Sequence, residues 1–532
     1  MKSRTQSTRY LGLVFIMIGG NFVLQDKTAK SPVLAPSKMV RMGVVDERFQ
    51  SFNVEMVEVT GGRFWRPYDS NRTADKGANP AKQEGSTPTG LDPNLFQYRS
   101  PIDLSNSRLR KLAAALGPSY MRVSGTWANT TYFQTSPGPE PGQAPTGFNG
   151  VLTEAQWKGV VDFSRAVDAR LVTSFATGLG TRNNAGEWTP KQAGEFLSYT
   201  KSIGGDIAAA EFMNEPTIAG MGGAPKGYDA GAFGRDVAAF RKFIRESSPK
   251  TLFLGPGSVG EGLFALSSAP GMLPSADLLR ATGPVFDAFS YHLYAAVSKR
   301  CAGMGETMQT SEADALSPEW LSRSEKISEF YAGLRDKFEA GKDLWITETA
   351  DAACGGNPWG STYLDTFRYL AQHASLAQRD VKVIMHNTLA ASAYGLLDEK
   401  SFEPRPNYWA ALLWKKLMGR GVLKPEIETG PNFYVYAHCL QDRPGGVAVL
   451  ILNADRKNAF VMTSLSEAER YTLTAKQLEG TTVELNGLPL RLTDTDDLPK
   501  MRGIPVPAGR FSFAPLSITF LTISSADNNS CR

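Results

Sequence analysis

The chain has 532 residues, too many for one compact core, and this length predicts about two domains. Hydrophobic residues make up 42% of the chain and charged residues 21%, as in ordinary soluble globular proteins. The net charge of +4 is weak for this length, so it does not favour a nucleic-acid partner, although a local basic cleft for an acidic substrate stays open.

The N-terminus combines basic and apolar residues. Lys2, Arg4 and Arg9 precede an apolar run from Leu11 to Gly20, which has the length of a signal-peptide core and is shorter than a membrane span. Residues 1–30 are therefore expected to be a signal peptide or an N-terminal anchor, and the protein to be exported, secreted or periplasmic. No small-x-small cleavage site follows, so an uncleaved anchor and a mispredicted start codon remain alternatives.

Eight short apolar runs lie between Phe52 and Asn387, separated mostly by stretches of helical periodicity. This is the count for a (β/α)8 barrel, expected over residues 46–418. Helices are predicted from Ser105 to Leu116 and from Tyr363 to Gln378. The eight runs begin at Phe52, Tyr120, Arg170, Ile207, Thr251, Val285, Asp343 and Val381.

Two of the connecting loops are long for a barrel. They run from Gly61 to Pro101 and from Ala295 to Pro318, and both follow strands at the carboxyl end of the predicted barrel. Loops at that end build the active site of such a fold. They are candidates for the walls of a cleft, with simple surface insertion as the alternative.

The pattern changes after Leu417. Period-two or continuously apolar runs, separated by Gly, Asp and Asn turns, fill residues 419–532 and predict an all-β sandwich. The extended segment 31–45, before the barrel, is expected to add a strand to it.

Two glutamates end apolar runs of the predicted barrel. Glu348 closes the seventh run and Glu215 closes the fourth, within Asn214-Glu215-Pro216. Strand ends at the carboxyl face of a barrel point into one site, so the two carboxylates are expected to face each other. Opposed carboxylates suit glycoside hydrolysis, in which one donates a proton and the other attacks the anomeric carbon.

Three motifs together resemble the large clan of retaining (β/α)8 glycosidases: Asn-Glu-Pro after the fourth run, Thr-Glu-Thr at the seventh, and His292-x-Tyr294 after the sixth. Longer segments resemble glycoside hydrolase family seventy-nine, the heparanase and β-glucuronidase family. They are LRKLAAALGPSYMRVSGT from Leu109, GLLDEKSFEPRPNYWAALLWKKLMG from Gly395, and YVYAHC from Tyr434. The similarity covers most of the chain from Val45 onward, excluding the two long loops.

The resemblance implies roles for individual residues. Glu215 would be the general acid/base, Glu348 the nucleophile, and Tyr294 the residue that orients the nucleophile. Asn214 would bind the sugar 2-hydroxyl. The expected ligands of the glucuronate carboxylate are Tyr394 and the backbone N–H groups of Gly355 and Gly356; those of other sugar groups are Glu55, Thr126 and Asn387.

The sequence departs from the family at several of these positions. Glu55 replaces an Asp, Ser124-Gly125 replaces a double Gly, and Cys354 shortens a Gly-rich run. These differences affect recognition of the sugar more than the chemistry of hydrolysis.

Other polar and aromatic residues have structural interpretations. Glu211 is expected to be an interior carboxylate paired with Arg122 rather than a third catalytic acid, and His292 a hydrogen-bonded scaffold residue. The four histidines do not suggest a metal site. Three tryptophans are candidates either for stacking on sugars or for loop packing: Trp65, Trp127 and Trp188.

The four cysteines lack metal-site spacing. Composition alone fits either disulfides or isolated thiols. The family resemblance implies a Cys439–Cys531 bridge. Cys301 and Cys354 follow the sixth and seventh strands, which are neighbours in a barrel, so a second bridge is a hypothesis.

The resulting prediction is an exported retaining β-glucuronidase of the heparanase-like type, acting without cofactor or metal on a glucuronate-containing polysaccharide or glucuronide. An endo mode on a glycosaminoglycan such as heparan sulfate is slightly favoured over an exo mode that releases terminal glucuronate. The rivals are a catalytically inactive glycan-binding protein and a related hydrolase that takes a neutral sugar. No nucleic-acid partner is expected, and no stable membrane contact beyond the possible N-terminal anchor.

Overall fold

A computed structural model describes residues 31–68, 87–135, 143–263, 271–304 and 308–532. The predicted signal peptide or anchor, residues 1–30, lies outside these ranges. Within them, no helix combines the length and the apolar character that crossing a membrane would require.

The described residues form strands and helices that are numbered here in chain order. The strands are β1 (Val33–Leu34), β2 (Val40–Val44), β3 (Gln50–Glu55), β4 (Gly62–Trp65), β5 (Phe96–Arg99), β6 (Ser119–Ser124), β7 (Thr131–Gln134), β8 (Gly150–Thr153), β9 (Ala169–Ser174), β10 (Ile207–Glu211), β11 (Leu252–Ser258), β12 (Ala288–Tyr294), β13 (Leu344–Ala350), β14 (Val381–His386), β15 (Met418–Lys424), β16 (Phe433–Leu440), β17 (Val447–Asn453), β18 (Phe460–Ser464), β19 (Ala468–Thr474), β20 (Glu484–Leu485), β21 (Leu488–Pro489), β22 (Ile504–Val506), β23 (Gly509–Phe513) and β24 (Ser517–Ile523). The α-helices are α1 (Met56–Thr60), α2 (Ser107–Leu116), α3 (Glu154–Ala166), α4 (Lys191–Ser202), α5 (Ala230–Ser247), α6 (Ser275–Thr282), α7 (Pro318–Phe338), α8 (Tyr363–Ala377) and α9 (Pro406–Leu417).

Eight parallel strands close into a barrel, which confirms the predicted fold class. Their order around the barrel is β3, β6, β9, β10, β11, β12, β13 and β14, and β14 returns to pair with β3. Each strand therefore lies beside the next one predicted from the apolar runs. All the carboxyl ends face the same rim, where the functional side chains are expected.

Local sequence explains where the predicted helices begin and end. In α2 the side chain of Asn106 caps the helix by accepting from the Leu109 N–H, while Leu109, Leu112 and Leu116 are buried on one face. The helix starts two residues after the predicted Ser105, because the cap residue itself stays outside the helix.

The first apolar run is not all strand. Its alternating sequence from Phe52 predicted a strand through Val59, but β3 ends at Glu55 and α1 follows at once. Glu58 accepts a hydrogen bond from the Glu55 N–H, and the Glu55 side chain accepts from the N–H of Glu58 in return. This reciprocal cap starts a helix where alternation alone predicted more strand.

The C-terminal region is β-rich and takes strands from both ends of the chain. A nine-stranded sheet runs from β2 through β15 to β21, and a three-stranded sheet joins β1, β18 and β23. Val40–Val44, within the segment 31–45, pairs antiparallel with β15. Apolar side chains of both sheets form a common core that includes Leu34, Ile451 and Phe513.

Helix α8 joins the barrel to the sandwich. All of its residues are buried, including those facing away from the barrel. The Tyr363 hydroxyl lies 2.8 and 3.0 Å from the carbonyl oxygens of Leu473 and Leu516, which share its proton. The sandwich therefore covers the outer face of this helix.

The long loop from Gly61 to Pro101 contains a hairpin that its low periodicity did not predict. Its two strands, β4 and β5, pair antiparallel near the carboxyl rim of the barrel. A second small pair, β7 with β8, follows β6. Two disulfides are present: Cys439–Cys531 in the sandwich, and Cys301–Cys354 between the loops after β12 and β13.

Candidate active site

A cleft of about 950 Å³ opens at the carboxyl rim of the barrel. It brings together most of the predicted site residues from six different strands or the loops that follow them. The predicted residues that line it are Glu55, Thr126, Glu215, Tyr294, Glu348, Asn387 and Tyr394. Strand geometry therefore collects, in one place, polar groups that lie far apart in the sequence.

Arg122, near the end of β6, is the central cation beneath the cleft and is only 1% exposed. Its Nε and Nη2 donate to Glu211 Oε2 at 3.0 and 2.9 Å, which confirms the predicted pair. The same guanidinium donates from Nη1 to Glu348 Oε2 at 3.0 Å and from Nη2 to Asn214 Oδ1 at 2.8 Å. One planar cation thus fixes two carboxylates and an amide.

Glu211 is held as an ion. Burial alone would raise its pKa, but the charge of Arg122 and hydrogen bonds from the hydroxyls of Ser290 and Thr347 lower the pKa below its ordinary value. Both hydroxyls donate to Oε1 at 2.7 Å. A carboxylate with all its acceptors occupied cannot serve as the proton donor, as expected for an interior structural residue.

Glu215 follows β10 in a left-handed backbone conformation, with φ of 51°. Burial raises its pKa to about 7, although the charge of Arg122 acts in the opposite direction. A non-glycine residue with this φ is uncommon and its conformation must be held by the surrounding structure. The result is a carboxyl group that lines the cleft and keeps its proton up to about neutral pH.

Glu348, in β13, lies opposite Glu215. One oxygen from each carboxylate, together with a ring nitrogen of His292, lies within 4.8 Å of the others. Tyr294 donates from its hydroxyl to Glu348 Oε1 at 2.6 Å, and Arg122 donates to Oε2. These two donors, one on each oxygen, fix the orientation of the carboxylate.

His292 is a neutral member of the cluster. Burial lowers its pKa to about 4. Its Nε2 lies 3.2 Å from Arg122 Nη2, which can only donate, so Nε2 accepts and the ring proton belongs on Nδ1. Nδ1 then donates to Glu215 Oε1 at 3.0 Å, leaving Oε2 of Glu215 as the oxygen that carries the acid proton.

The grouping of Glu215, His292 and Glu348 also has the spacing of metal ligands. The Arg122 guanidinium already contacts both Glu348 and His292 from below. A metal ion held by these three groups would be repelled by that charge at short range. The geometry therefore fits a pair of opposed carboxylates better than a metal centre.

Asn387 connects the remaining polar groups of the cleft. Its Nδ2 lies 3.0 Å from Glu55 Oε1, 3.1 Å from the Tyr294 hydroxyl and 3.2 Å from the Tyr394 hydroxyl. Burial and the nearby charge of Glu348 raise the pKa of Glu55 well above its usual range. Glu55 Oε2 is buried without a hydrogen-bond partner among the described residues, and it lies where a Cβ on Gly125 would fall.

Three predicted residues are not among those that line the cleft, but lie buried next to lining residues. Asn214 is buried, with Oδ1 occupied by Arg122, so its amide nitrogen is the group left to donate to a sugar hydroxyl. Gly355 and Gly356 are buried beside the cleft residues Trp65 and Tyr394. A Cβ on Gly355 would lie 2.6 Å from Trp65 Cβ, and one on Gly356 would lie 3.1 Å from Tyr394 Cδ1.

Aromatic and apolar residues form much of the cleft wall. Trp65 and Trp127 line it, whereas Trp188 packs against Phe212 and Phe240 away from the opening. Sequence reasoning did not identify the apolar wall formed by Leu91, Ile218, Met221, Val259, Met272 and Val297. These residues carry no motif, and only their place in the loops could have indicated them.

Comparisons with known proteins agree with this geometry. The model of the glycosyl hydrolase family 79 N-terminal domain matches residues 100–374, more than half of the chain. Heparanase from Bos taurus is 27% identical over 506 residues, covering 83% of this chain and 87% of the bovine protein. Baicalin-β-D-glucuronidase from Scutellaria baicalensis is 34% identical over 187 residues, covering 33% of this chain and 35% of that enzyme.

A solved structure shares the fold. The 4-O-α-L-rhamnosyl-β-D-glucuronidase from Fusarium oxysporum 12S superposes with a TM-score of 0.59 at 13% identity, covering 93% of this chain and 99% of the other. At this identity the likeness concerns the arrangement of barrel and β-rich region.

Proposed function

Because the chain belongs to glycosyl hydrolase family 79 and is therefore a glycoside hydrolase, we propose that it cleaves β-glucuronidic bonds with retention of configuration. The observation that carries this proposal is the contrast between two facing carboxyl groups. Glu215 keeps a proton because burial raises its pKa to about 7, while Glu348 is held by Arg122 and Tyr294.

The proposed reaction takes two steps. Glu348 attacks the anomeric carbon while Glu215 donates its proton to the leaving oxygen, which forms a covalent glycosyl-enzyme and releases the aglycone. Glu215, now ionised, then removes a proton from a water molecule that attacks the anomeric carbon and frees Glu348. Carboxylate oxygens within 4.8 Å of each other support this scheme, since retaining enzymes place the two groups about 5–5.5 Å apart.

The proposed recognition of glucuronate depends on Tyr394 and the neighbouring glycine turn. Asn387 Nδ2 lies 3.2 Å from the Tyr394 hydroxyl oxygen, so that oxygen can accept and its proton is free to point into the cleft. A hydroxyl proton and backbone N–H groups together suit a carboxylate, because they supply positive partial charge without a flexible cation. The similar enzyme from Scutellaria baicalensis is a β-D-glucuronidase, which supports the same substrate class.

Each cleavage mode has one supporting observation. A second cavity adjoins the cleft at Thr126, Trp127 and Met221, and an endo enzyme could extend its binding site in that direction along a longer chain. The exo alternative is supported by the cleft lining, which contains no Lys or Arg among the described residues and so lacks the cations that a sulfated chain would favour.

Two rival functions predict a different site. A catalytically inactive glycan-binding protein has no need for both an acid and a nucleophile, yet both carboxyl groups and the donors to Glu348 are present. A hydrolase for a neutral sugar would not need the hydroxyl of Tyr394 beside a glycine turn. We therefore retain a glucuronide as the proposed substrate.

Export is also proposed. Both cysteine pairs are bridged, and structural disulfides persist mainly in oxidising compartments. The apolar run near the N-terminus supports the same location.

The experiment that tests the function compares three substrates with the wild type and Glu348→Gln. An aryl β-glucuronide reports exo activity, and shortening of heparan sulfate or hyaluronan reports endo activity and identifies the polymer. We expect hydrolysis that the substitution abolishes. If none of the three substrates is cleaved in a Glu348-dependent way, the proposal is wrong and the two rival functions have to be considered again.

A further inference from the structure

The Cys301–Cys354 disulfide lies at the edge of the cleft. It joins the loop after β12 to the loop after β13, and Cys354 itself lines the cleft. Cys354 directly precedes Gly355 and Gly356, so the bridge is anchored on the turn proposed to bind the glucuronate carboxylate. By contrast, Cys439–Cys531 connects β16 to the C-terminal segment in the sandwich.

The turn has a backbone conformation that needs support. Cys354, Gly355 and Gly356 have φ values of 62°, 77° and 81°, three left-handed residues in succession. Glycine adopts this region freely, but a residue with a side chain, such as Cys354, is strained there. Such a conformation persists only where the surrounding structure holds it in place.

Hydrogen bonds secure the chain before the turn. Ala353 pairs with the loop after β12 through Ala353 N–H to Ala296 carbonyl, 2.9 Å, and Ser298 N–H to Ala353 carbonyl, 3.0 Å. Ser298 Oγ also donates to the Cys354 carbonyl at 3.0 Å. The Cys301–Cys354 disulfide comes directly after these hydrogen bonds and links the same two loops covalently.

The other side of the turn is held by the segment that follows β4. The Tyr68 hydroxyl donates to the Gly356 carbonyl at 2.9 Å. Arg300, the neighbour of Cys301, stacks on the Tyr68 ring at 4.1 Å and donates to the Arg66 carbonyl. The segment that carries Cys301 therefore contacts the turn through the disulfide and also contacts Tyr68, which binds the turn from the other side.

We propose that the Cys301–Cys354 bridge is a positioning element that holds the Gly355–Gly356 turn against Tyr394 and thereby sets the affinity for the acidic group of the substrate. The bridge does not touch the reacting atoms. Its loss is expected to let the turn relax from its left-handed conformation and to separate the backbone N–H groups from the Tyr394 hydroxyl. This inference rests on the proposed β-glucuronidase function.

The test is the double variant Cys301→Ser/Cys354→Ser, assayed on an aryl β-glucuronide and on the matching β-glucoside. We expect KM for the glucuronide to rise about tenfold or more, since small displacements of binding groups have large effects. The kcat on the glucuronide and both constants for the glucoside should change little. The matched control is Cys439→Ser/Cys531→Ser, which removes the remote bridge and should leave the ratio of the two KM values unchanged.

A second measurement covers the case in which the double variant does not fold. The wild type is titrated with a phosphine reductant, and mass spectrometry of alkylated peptides follows the reduction of each bridge. The rise in KM for the glucuronide should track reduction of Cys301–Cys354 and not of Cys439–Cys531. Equal changes for glucuronide and glucoside, or an unchanged KM after reduction, would overturn the inference.

Failure of the proposed function gives a different result. If the unmodified wild type hydrolyses the glucoside as well as the glucuronide, the carboxylate assignment is wrong before any cysteine is changed. If the wild type strongly prefers the glucuronide and the preference survives loss of the bridge, only the positioning role is wrong.

Discussion

Arg122 and Arg368 are both buried, and each pairs with a carboxylate of lowered pKa that lies near a carboxyl group of raised pKa. Arg122 pairs with Glu211, whose pKa is lowered, near Glu215 with a pKa of about 7. Arg368 pairs with Asp365, whose pKa is also lowered. Beside it lies Asp351, whose pKa is raised to about 7 by burial and by the charge of Asp365.

The two regions differ in what the neutral acid faces. Glu215 lines the cleft opposite Glu348, whereas Asp351 is fully enclosed between β13, the glycine turn and α8. Asp351 Oδ2 accepts from the Asn357 N–H, and Oδ1 is buried without a partner among the described residues. A perturbed pKa therefore identifies a functional candidate only where the group reaches a space that a substrate can enter.

The largest expected effect on catalysis comes from replacing Arg122, and the same substitution at Arg368 is its control. Arg122→Met and Arg368→Met each leave buried carboxylates unpaired, which should lower the free energy of unfolding by about 3–5 kcal/mol. Only Arg122→Met should also abolish activity per folded molecule, because Glu348 and Asn214 lose their donor. Urea unfolding and kcat corrected for the folded fraction measure the two effects. An equal loss of kcat in both variants would break the distinction between the regions.

The next effect concerns the acid proton of Glu215. Since burial raises its pKa to about 7, the protonated form is present below that value. The kcat/KM for a glucuronide should therefore fall as pH rises through about 7, tenfold per unit above it. Glu215→Gln should remove this alkaline limb and lower kcat by about 10²–10⁴-fold for a poor leaving group.

A pH profile of kcat/KM from pH 4 to 9 checks this second prediction. An aryl leaving group of low pKa serves as the internal control, because it needs little protonation and should lose less activity in the same variant. An alkaline limb that survives in Glu215→Gln would assign the proton to another group.

Tyr394 links the two regions, and its substitution has a smaller expected effect. Its hydroxyl lies in the cleft, while its carbonyl accepts from Ser361, which also contacts Asp365. Tyr394→Phe keeps the ring and the backbone contacts but removes a hydrogen bond to a charged group, worth about 1.5–3 kcal/mol. KM for an aryl glucuronide should rise about tenfold to a hundredfold, with little change for the matching glucoside. Equal changes on both substrates would remove the carboxylate assignment.

Much of the barrel could be predicted because apolar runs and their turns are local signals. Glu215 and Glu348 were expected to meet because parallel strand ends share one rim, and Arg122 was expected to pair with Glu211. Its further contacts with Glu348 and Asn214 were not predicted, because they depend on which side chains pack across the barrel. The end of β3 at Glu55 was missed for another reason. Its apolar alternation continues into α1, and only the reciprocal cap with Glu58 ends the strand.

Asp351→Asn should have the smallest effect on catalysis and a clear effect on the pH dependence of stability. The folded-state pKa of Asp351, about 7, lies above its unfolded value, so folding retains a proton. The stability this gives is complete below the unfolded pKa, near 4. It is lost as pH rises through about 7.

Asparagine cannot titrate and still offers an oxygen to the Asn357 N–H. The variant should therefore unfold with a flatter pH dependence between about 4 and 7, with kcat near the wild-type value. Urea unfolding at several pH values measures the slope, and Asp380→Asn at an exposed site provides the control. If the free energy of unfolding of the variant varies with pH as steeply as that of the wild type, Asp351 does not hold a proton of its own, and the comparison with Glu215 fails. A large loss of kcat would instead place Asp351 in the catalytic region.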